Sequence, residues 1–172
     1  MPEASDSEPG AADAASSFTW TETAGAGFLE EDEALRALGA ALEHGGQPEL
    51  AIDAIVVDAK TLAGLHAQFL DDPTETDVIT FDLSTDADGG PPAMGGPDAE
   101  IYVSADRARC VSEDRGVSAK RELVLYLVHG ALHLCGLDDH DESDRAAMRA
   151  AERAVMARLG FEEDTAPHDI QP

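Results

Sequence analysis

The sequence predicts an α+β fold in which a small mixed β-sheet of about four strands is packed by helices. Short runs rich in β-branched and aromatic residues, such as 78–81, are typical of strands and alternate with longer segments of helical apolar spacing. Residues 119–135 are apolar almost all round, which predicts a central buried helix, and this helix carries a His-x-x-x-His motif. With 43% hydrophobic residues, the chain has enough apolar side chains for one core.

In the first half of the chain we expect two strands and two helices. Residues 17–21 alternate in polarity and form a candidate first strand. A helix is expected over 30–44, because its apolar residues recur at helical spacing and a Gly-Gly pair follows it. Residues 49–57 alternate and then run apolar, as a strand does, and residues 60–70 place their large apolar side chains on one helical face.

In the second half we expect two strands and two longer helices. The strands are 78–81 and 101–103, separated by a loop over 86–97 that is dense in Gly and Pro. The helices are 119–135 and 142–159, and a glycine follows each of them, as is common after helix ends.

These elements predict one domain between two tails. Residues 1–25 are acidic and rich in small residues and are expected to be a disordered tail, apart from the candidate strand. Residues 26–161 form the single expected domain, and residues 162–172 form a flexible C-terminal tail. The first residues lack the basic-then-apolar pattern of a secretory signal, and the longest apolar run, 123–128, is too short to span a membrane. We therefore expect a cytoplasmic protein.

The net charge is −25, from 36 acidic and 11 basic residues. Taken alone, this charge argues against a nucleic-acid partner, because affinity for phosphates comes largely from Lys and Arg. Adaptation to a salt-rich cytoplasm is the alternative explanation that we favour, since molar salt shortens the screening length to about 3 Å. The two cysteines, Cys110 and Cys135, exclude a disulfide framework and a four-thiolate metal site.

Candidate metal ligands lie on the buried helix. His129 and His133 are four residues apart, so both rings project from one helical face, the geometry used to bind zinc. A single buried histidine is more often a hydrogen-bonded core residue than a ligand. Here two histidines on one face are followed by a glycine and by a cluster of further possible metal ligands over 138–140, a combination that is much less expected by chance.

The third ligand has two candidates. Gly136 allows the chain to turn back after the helix and to present Asp139 or His140. His140 is the commoner kind of zinc ligand, whereas Asp139 follows His133 by six residues, a spacing that known three-ligand zinc sites use. Three protein ligands with one open position are typical of a catalytic zinc.

The residue after the first histidine is Gly130, where zinc peptidases of the His-Glu-x-x-His type have their general base. A peptidase is therefore disfavoured. Zinc lowers the pKa of a bound water to about 7 without that base, so another kind of metal-assisted hydrolase is indicated.

Residues 129–137, followed by Asp139 or His140, resemble the signature of the bacterial endoribonuclease YbeY family, the rRNA maturation factors. Three further segments resemble the family: 76–81 its Thr-Asp-Val-Leu-Ser-Phe strand, 65–70 the helix end before it, and 100–104 its Gly-Asp-Ile-x-Ile-Ser strand. The Arg121-Glu122 pair also fits. The resemblance extends over roughly residues 28–160.

The resemblance implies one zinc ion (Zn²⁺) held by three side chains, with His129 and His133 as the first two ligands and as catalytic residues. It implies hydrolysis of single-stranded RNA, in maturation of the 3′ end of small-subunit rRNA and in ribosome quality control. The family pattern Gly-Tyr-Asp-His places a histidine six residues after the second ligand, but here that histidine comes one residue later. The choice between Asp139 and His140 therefore stays open.

Two further positions bear on the site. Many family members have Arg where this chain has Leu70, so a phosphate contact would need another basic residue, such as Arg107, Arg109 or Arg121. Asp77 either caps a turn before its strand or accepts a hydrogen bond that fixes the tautomer of a ligand histidine.

The sequence thus predicts a zinc-dependent, single-strand-specific endoribonuclease that acts on an rRNA precursor and the small ribosomal subunit, with no membrane or DNA partner. The attacking group is a hydroxide or an activated 2′-hydroxyl. Two alternatives remain: a metal-dependent hydrolase of another substrate, and a non-catalytic ribosome assembly factor whose zinc is structural.

Overall fold

The computed structural model describes residues 18–23, 25–71, 74–85, 95–161 and 170. Within them the chain forms four strands and five helices. In chain order they are β1 (Phe18–Glu22), α1 (Glu31–His44), β2 (Ile52–Val57), α2 (Ala59–Leu70), β3 (Val78–Asp82), β4 (Ala99–Ser104), α3 (Ala105–Arg115), α4 (Ala119–Leu134) and α5 (Glu142–Arg158).

The four strands form one mixed sheet in the order β1-β2-β4-β3. β1, β2 and β4 run parallel, whereas β3 is antiparallel to β4, with Thr80 opposite Ile101. The α+β class and the four-stranded mixed sheet predicted from the sequence are confirmed.

The core is built around α4. Every residue of this helix from Glu122 to Leu132 is buried. It packs against α1, α3 and α5 and against β3 and β4. One sheet face, with Ile52, Val56 and Ile101, contributes to this main core, because alternate strand residues point to the same side. A smaller apolar cluster lies on the opposite face, where α2 covers Val57 and Ile79.

Helix α3 was not predicted, because it has no large apolar stripe. Its buried residues are small ones, Ala105, Ala108 and Ser112. Its ends carry the local signals instead: the Ser104 side chain accepts a hydrogen bond from the backbone N–H of Arg107, and Gly116 closes the helix at φ 68°. A helix that is held by its caps and by close packing of small residues shows no hydrophobic periodicity from which it could be predicted.

The ends of the chain refine the expected boundaries. β1 lies within the segment for which the sequence predicted a disordered tail with one candidate strand, and it pairs with β2. Within the expected C-terminal tail, Ile170 is buried against the main core. Residues 1–17 and 86–94, which held most of the predicted tail and loop, lie outside the described residues. Among those described, no helix combines the length and the apolar character needed to cross a membrane.

Gly130 lets α4 approach the sheet closely. A Cβ atom at this position would lie 3.0 Å from the Thr80 methyl, 3.1 Å from Cγ2 of Ile101 and 3.3 Å from Cγ2 of Val78. These distances are tighter than ordinary van der Waals contact. Side chains of β3 and β4 thus occupy the space that a larger side chain would need at Gly130. This is the position at which zinc peptidases carry a glutamate.

We expect Gly130→Ala to be less stable than Gly64→Ala by about 1–3 kcal/mol, the usual cost of overpacking a core. Both glycines lie inside helices, so both substitutions gain about 0.8–1.0 kcal/mol of helix propensity. An added Cβ at the exposed Gly64 meets nothing within 4 Å, so the difference between the two variants isolates the helix–sheet contact. Urea denaturation measures both; equal free energies of unfolding would contradict this account.

Candidate metal centre

Two histidine rings meet at the C-terminal end of α4. His129 and His133 lie one helical turn apart, with ring centroids 4.5 Å apart and ring planes at 83° to one another. Their Nε2 atoms are 2.9 Å apart. Both rings thus turn the same nitrogen toward one point.

A tight turn after α4 brings a carboxylate to the same point. Gly136 adopts φ 93°, and the N–H of Leu137 donates to the carbonyl of Leu132, which is the glycine-dependent closure that reverses a chain after a helix. The Asp139 carboxylate then lies 3.8 Å from Nε2 of His129 and 3.8 Å from Nε2 of His133. His129, His133 and Asp139 therefore form a group able to hold a metal ion.

The other ring nitrogens also have polar partners, and these contacts favour one tautomer. Nδ1 of His129 lies 2.6 Å from the Glu152 carboxylate, and Nδ1 of His133 lies 2.9 Å from the Leu137 carbonyl. A carbonyl can only accept, so Nδ1 of His133 carries the hydrogen, and a carboxylate acceptor favours the same tautomer in His129. A neutral ring in that tautomer has its lone pair on Nε2.

Two imidazole nitrogens and one carboxylate therefore converge on one point, and the two Nε2 atoms lie within hydrogen-bond distance of each other. Such a group binds a cation, either a proton shared by the two rings or a metal ion, and the mixed nitrogen and oxygen set suits zinc. In a tetrahedral site with Zn–N bonds of about 2.0–2.1 Å, ligand atoms lie about 3.3 Å apart. The distances of 2.9 and 3.8 Å found here bracket that value, so the residues fit such an ion.

The centre is buried on one side and open on the other. The His129 side chain is 3% exposed, whereas that of His133 is 22% exposed and that of Asp139 is 18% exposed. Burial, together with the neighbouring His129, lowers the pKa of His133, which favours the neutral ring that a metal requires. A fourth ligand or a substrate would approach from the side of His133 and Asp139.

His140, the other candidate for the third ligand, points away from the two histidines. Its side chain is 85% exposed and its Nδ1 hydrogen-bonds the Asp138 carboxylate. That carboxylate raises the pKa of His140. His140 forms a second, exposed group of possible ligands with Asp138 and Asp139, so Asp139 belongs to both groups.

The loop that carries these residues is held by α5. Nη1 of Arg145 donates to the carbonyls of Asp139, at 3.2 Å, and His140, at 2.8 Å. The Asp141 side chain caps α5 by accepting from the N–H of Asp144. The turn after α4 and the start of α5 thus form one hydrogen-bonded unit.

Helix α4 carries two further buried polar side chains. Glu122 and Tyr126, at its N-terminal end, are fully buried and lie outside the group of candidate ligands. Burial raises the pKa of Glu122, whereas the nearby charges of Arg115 and Arg121 lower it. Oε1 of Glu122 lies 3.3 Å from Nε of Arg115 and 3.4 Å from Nη1 of Arg121. Glu122 therefore belongs to a buried ion-pair cluster with these two arginines.

The role predicted for Asp77, as the acceptor behind a ligand histidine, falls instead to Glu152. The Asp77 carboxylate accepts from Nε of Arg107 at 2.8 Å, while both histidine Nδ1 atoms are bound by other acceptors. Glu152 was missed because it lies 23 residues after His129. The feature of the sequence that could have indicated Glu152 is its position: it is a charged residue on the apolar face of α5, four residues after the buried Met148 and three before the buried Val155.

The arginines considered as substitutes for a basic residue at Leu70 all have acidic neighbours. Arg107 pairs with Asp77 and Glu75, Arg109 with Asp106, and Arg121 with Glu122. Leu70 itself is exposed. A phosphate group would have to compete with a carboxylate at each of the three arginines.

Residues 29–160 match the family model described as Endoribonuclease YbeY. An Endoribonuclease YbeY of Desulfitobacterium hafniense is 35% identical over 116 residues, which cover 66% of this chain and 74% of that protein. One of Rhodopirellula baltica is 36% identical over 120 residues, covering 65% of this chain and 58% of that protein. A solution structure of a Thermotoga maritima protein, 18% identical, has a similar fold, with a TM-score of 0.50 over 87% of this chain and 99% of that one.

We expect Asp139→Ala to lose bound zinc and His140→Ala to retain it, because only the Asp139 carboxylate lies beside both Nε2 atoms. Zinc content of the untagged proteins, measured by mass spectrometry, compares the two variants with the unaltered chain. Retention of zinc by Asp139→Ala together with loss by His140→Ala would instead assign the third ligand to His140.

Proposed function

Because this chain belongs to the endoribonuclease YbeY family, we propose that it is a zinc-dependent endoribonuclease that cleaves single-stranded RNA. The proposed substrate is the rRNA precursor of the small ribosomal subunit, with roles in 3′-end maturation and ribosome quality control. The reaction is hydrolysis of an RNA phosphodiester bond.

The observation that carries the proposal is the convergence of His129, His133 and Asp139 at the open end of a buried helix. Three protein ligands leave one position of a tetrahedral ion for water or substrate, which is typical of catalytic zinc and unlike the four protein ligands of structural sites. Two imidazoles also favour zinc over magnesium or calcium, which prefer oxygen ligands.

The chemistry that a bound zinc ion supplies is that of a Lewis acid, which polarises phosphoryl oxygen and makes water more acidic. The protein's own part is to orient both histidines, with their Nδ1 atoms on hydrogen-bond acceptors and their Nε2 atoms toward the ion. Asp139 adds one negative charge on the exposed side, where it completes the ligand set and faces the incoming phosphate.

The surroundings make RNA binding depend on the ion. The loop and helix start over 138–144 carry five acidic residues, which repel a phosphate backbone. A dication among these carboxylates offsets part of that charge at the place where cleavage occurs. A bound dication would thus supply positive charge at the cleavage site of a chain whose net charge is −25.

We expect removal of zinc by a chelator to abolish RNA cleavage without unfolding the protein, because the main core is formed by apolar contacts that need no metal. Cleavage of a single-stranded RNA and the far-UV circular dichroism spectrum are measured before chelation, after it, and after zinc is restored. Unfolding on chelation, with no turnover of any RNA, would instead support a structural zinc in an assembly factor.

His129→Ala is expected to abolish both zinc binding and cleavage, because it removes one of the two nitrogen ligands. His44→Ala is a matched control, since His44 lies at the C-terminal end of α1, outside both groups of candidate ligands. Cleavage retained by a folded His129→Ala variant that binds no zinc would refute the catalytic role. Zinc-dependent turnover of other substrates but not of RNA would indicate a different metal hydrolase.

A further inference from the structure

We propose that Glu152 is a positioning residue for the metal centre: its ionised carboxylate orients His129 and adds a negative charge that tightens cation binding. This inference rests on the proposed metal site and is independent of whether the chain cleaves RNA. Helix α5 contributes no residue to the His129–His133–Asp139 group, yet it would set the strength of that group.

The contact is short and buried. Oε1 of Glu152 lies 2.6 Å from Nδ1 of His129, which is shorter than the usual 2.9–3.0 Å for N–H···O bonds. Hydrogen bonds in which one partner is ionised are shorter and stronger than neutral ones. The side chains are 12% and 3% exposed, respectively. A carboxylate on the apolar side of a helix is costly to bury without a partner, and here the imidazole is that partner.

The two histidines differ in what lies behind them. His133 donates to the neutral carbonyl of Leu137, whereas His129 donates to a carboxylate. A charged acceptor behind an imidazole raises the basicity of its far nitrogen, and loss of such a partner commonly lowers metal affinity 10- to 100-fold. With Asp139, Glu152 places two negative charges around a site for a dication.

Helix α5 is itself fixed relative to the ligands. Met148 and Val155, on either side of Glu152 along the helix, are buried in the main core, and Arg145 binds the carbonyls of the ligand loop. The carboxylate is therefore held in place rather than reaching from a mobile surface. This arrangement favours preorganisation of His129 before the ion binds.

Two substitutions separate orientation from charge. Glu152→Gln keeps an oxygen that can accept from Nδ1 but removes the charge, whereas Glu152→Ala removes both. Glu113→Gln makes the same chemical change on the exposed face of α3 and is the matched control. Zn²⁺ affinity is measured by competition with a chromophoric chelator, and the His129 tautomer by long-range ¹H–¹⁵N NMR of the metal-free protein.

We expect Glu152→Gln to keep the Nδ1–H tautomer and to bind Zn²⁺ about 10-fold more weakly. We expect Glu152→Ala to populate both tautomers and to lose affinity by up to about 100-fold, and Glu113→Gln to match the unaltered chain. Folding is checked by circular dichroism.

Zn²⁺ affinity within twofold of the unaltered chain in folded Glu152→Gln would overturn the role of the charge. An unchanged His129 tautomer in Glu152→Ala would overturn the role in orientation. If Glu152→Ala does not fold, the nearly isosteric Glu152→Gln still decides the proposal through its affinity. Absence of RNA cleavage would refute only the proposed function, since these measurements use Zn²⁺ alone.

Discussion

Two imidazole nitrogens are held 2.9 Å apart beside a carboxylate, and the rest of the site is arranged around this contact. Neutral rings that both direct Nε2 lone pairs at one point repel each other unless a cation lies between them. The geometry persists because the hydrogen bonds behind the rings and the turn after α4 hold it in place. A proton or a metal ion bound between these groups stabilises the arrangement, so packing of the helix determines where a cation can bind.

The fold must bury α4 and still open its last turn to solvent. The absence of a side chain at Gly130 allows the helix to lie close to β3 and β4, which pins the histidine-bearing end against the sheet. Gly136 then reverses the chain, so that Asp139 returns to the histidines instead of leading away from them. α5 packs behind this turn and binds it from the other side. One apolar helix thus provides both the centre of the core and two residues of the site.

Much of this could be predicted from local sequence. The strands and the long helices follow from hydrophobic periodicity, and the pair His129 and His133 follows from helical spacing. Helix α3 could not be predicted in this way, because small buried residues leave no apolar stripe. The hydrogen-bond partner of His129 also could not be predicted from local sequence. Asp77 and Glu152 are both distant from His129 along the chain, and only tertiary packing selects between them. The orientation of Asp139 and His140 likewise depends on hydrogen bonds that the Arg145 guanidinium donates to their carbonyls.

The most direct test of the account is anomalous X-ray diffraction at the zinc absorption edge, on crystals of the full chain grown with stoichiometric zinc. We predict one anomalous peak bonded to Nε2 of His129, Nε2 of His133 and an oxygen of Asp139, with the fourth position occupied by a non-protein ligand. A peak at another place, or four protein ligands around the ion, would contradict a catalytic centre at the end of α4.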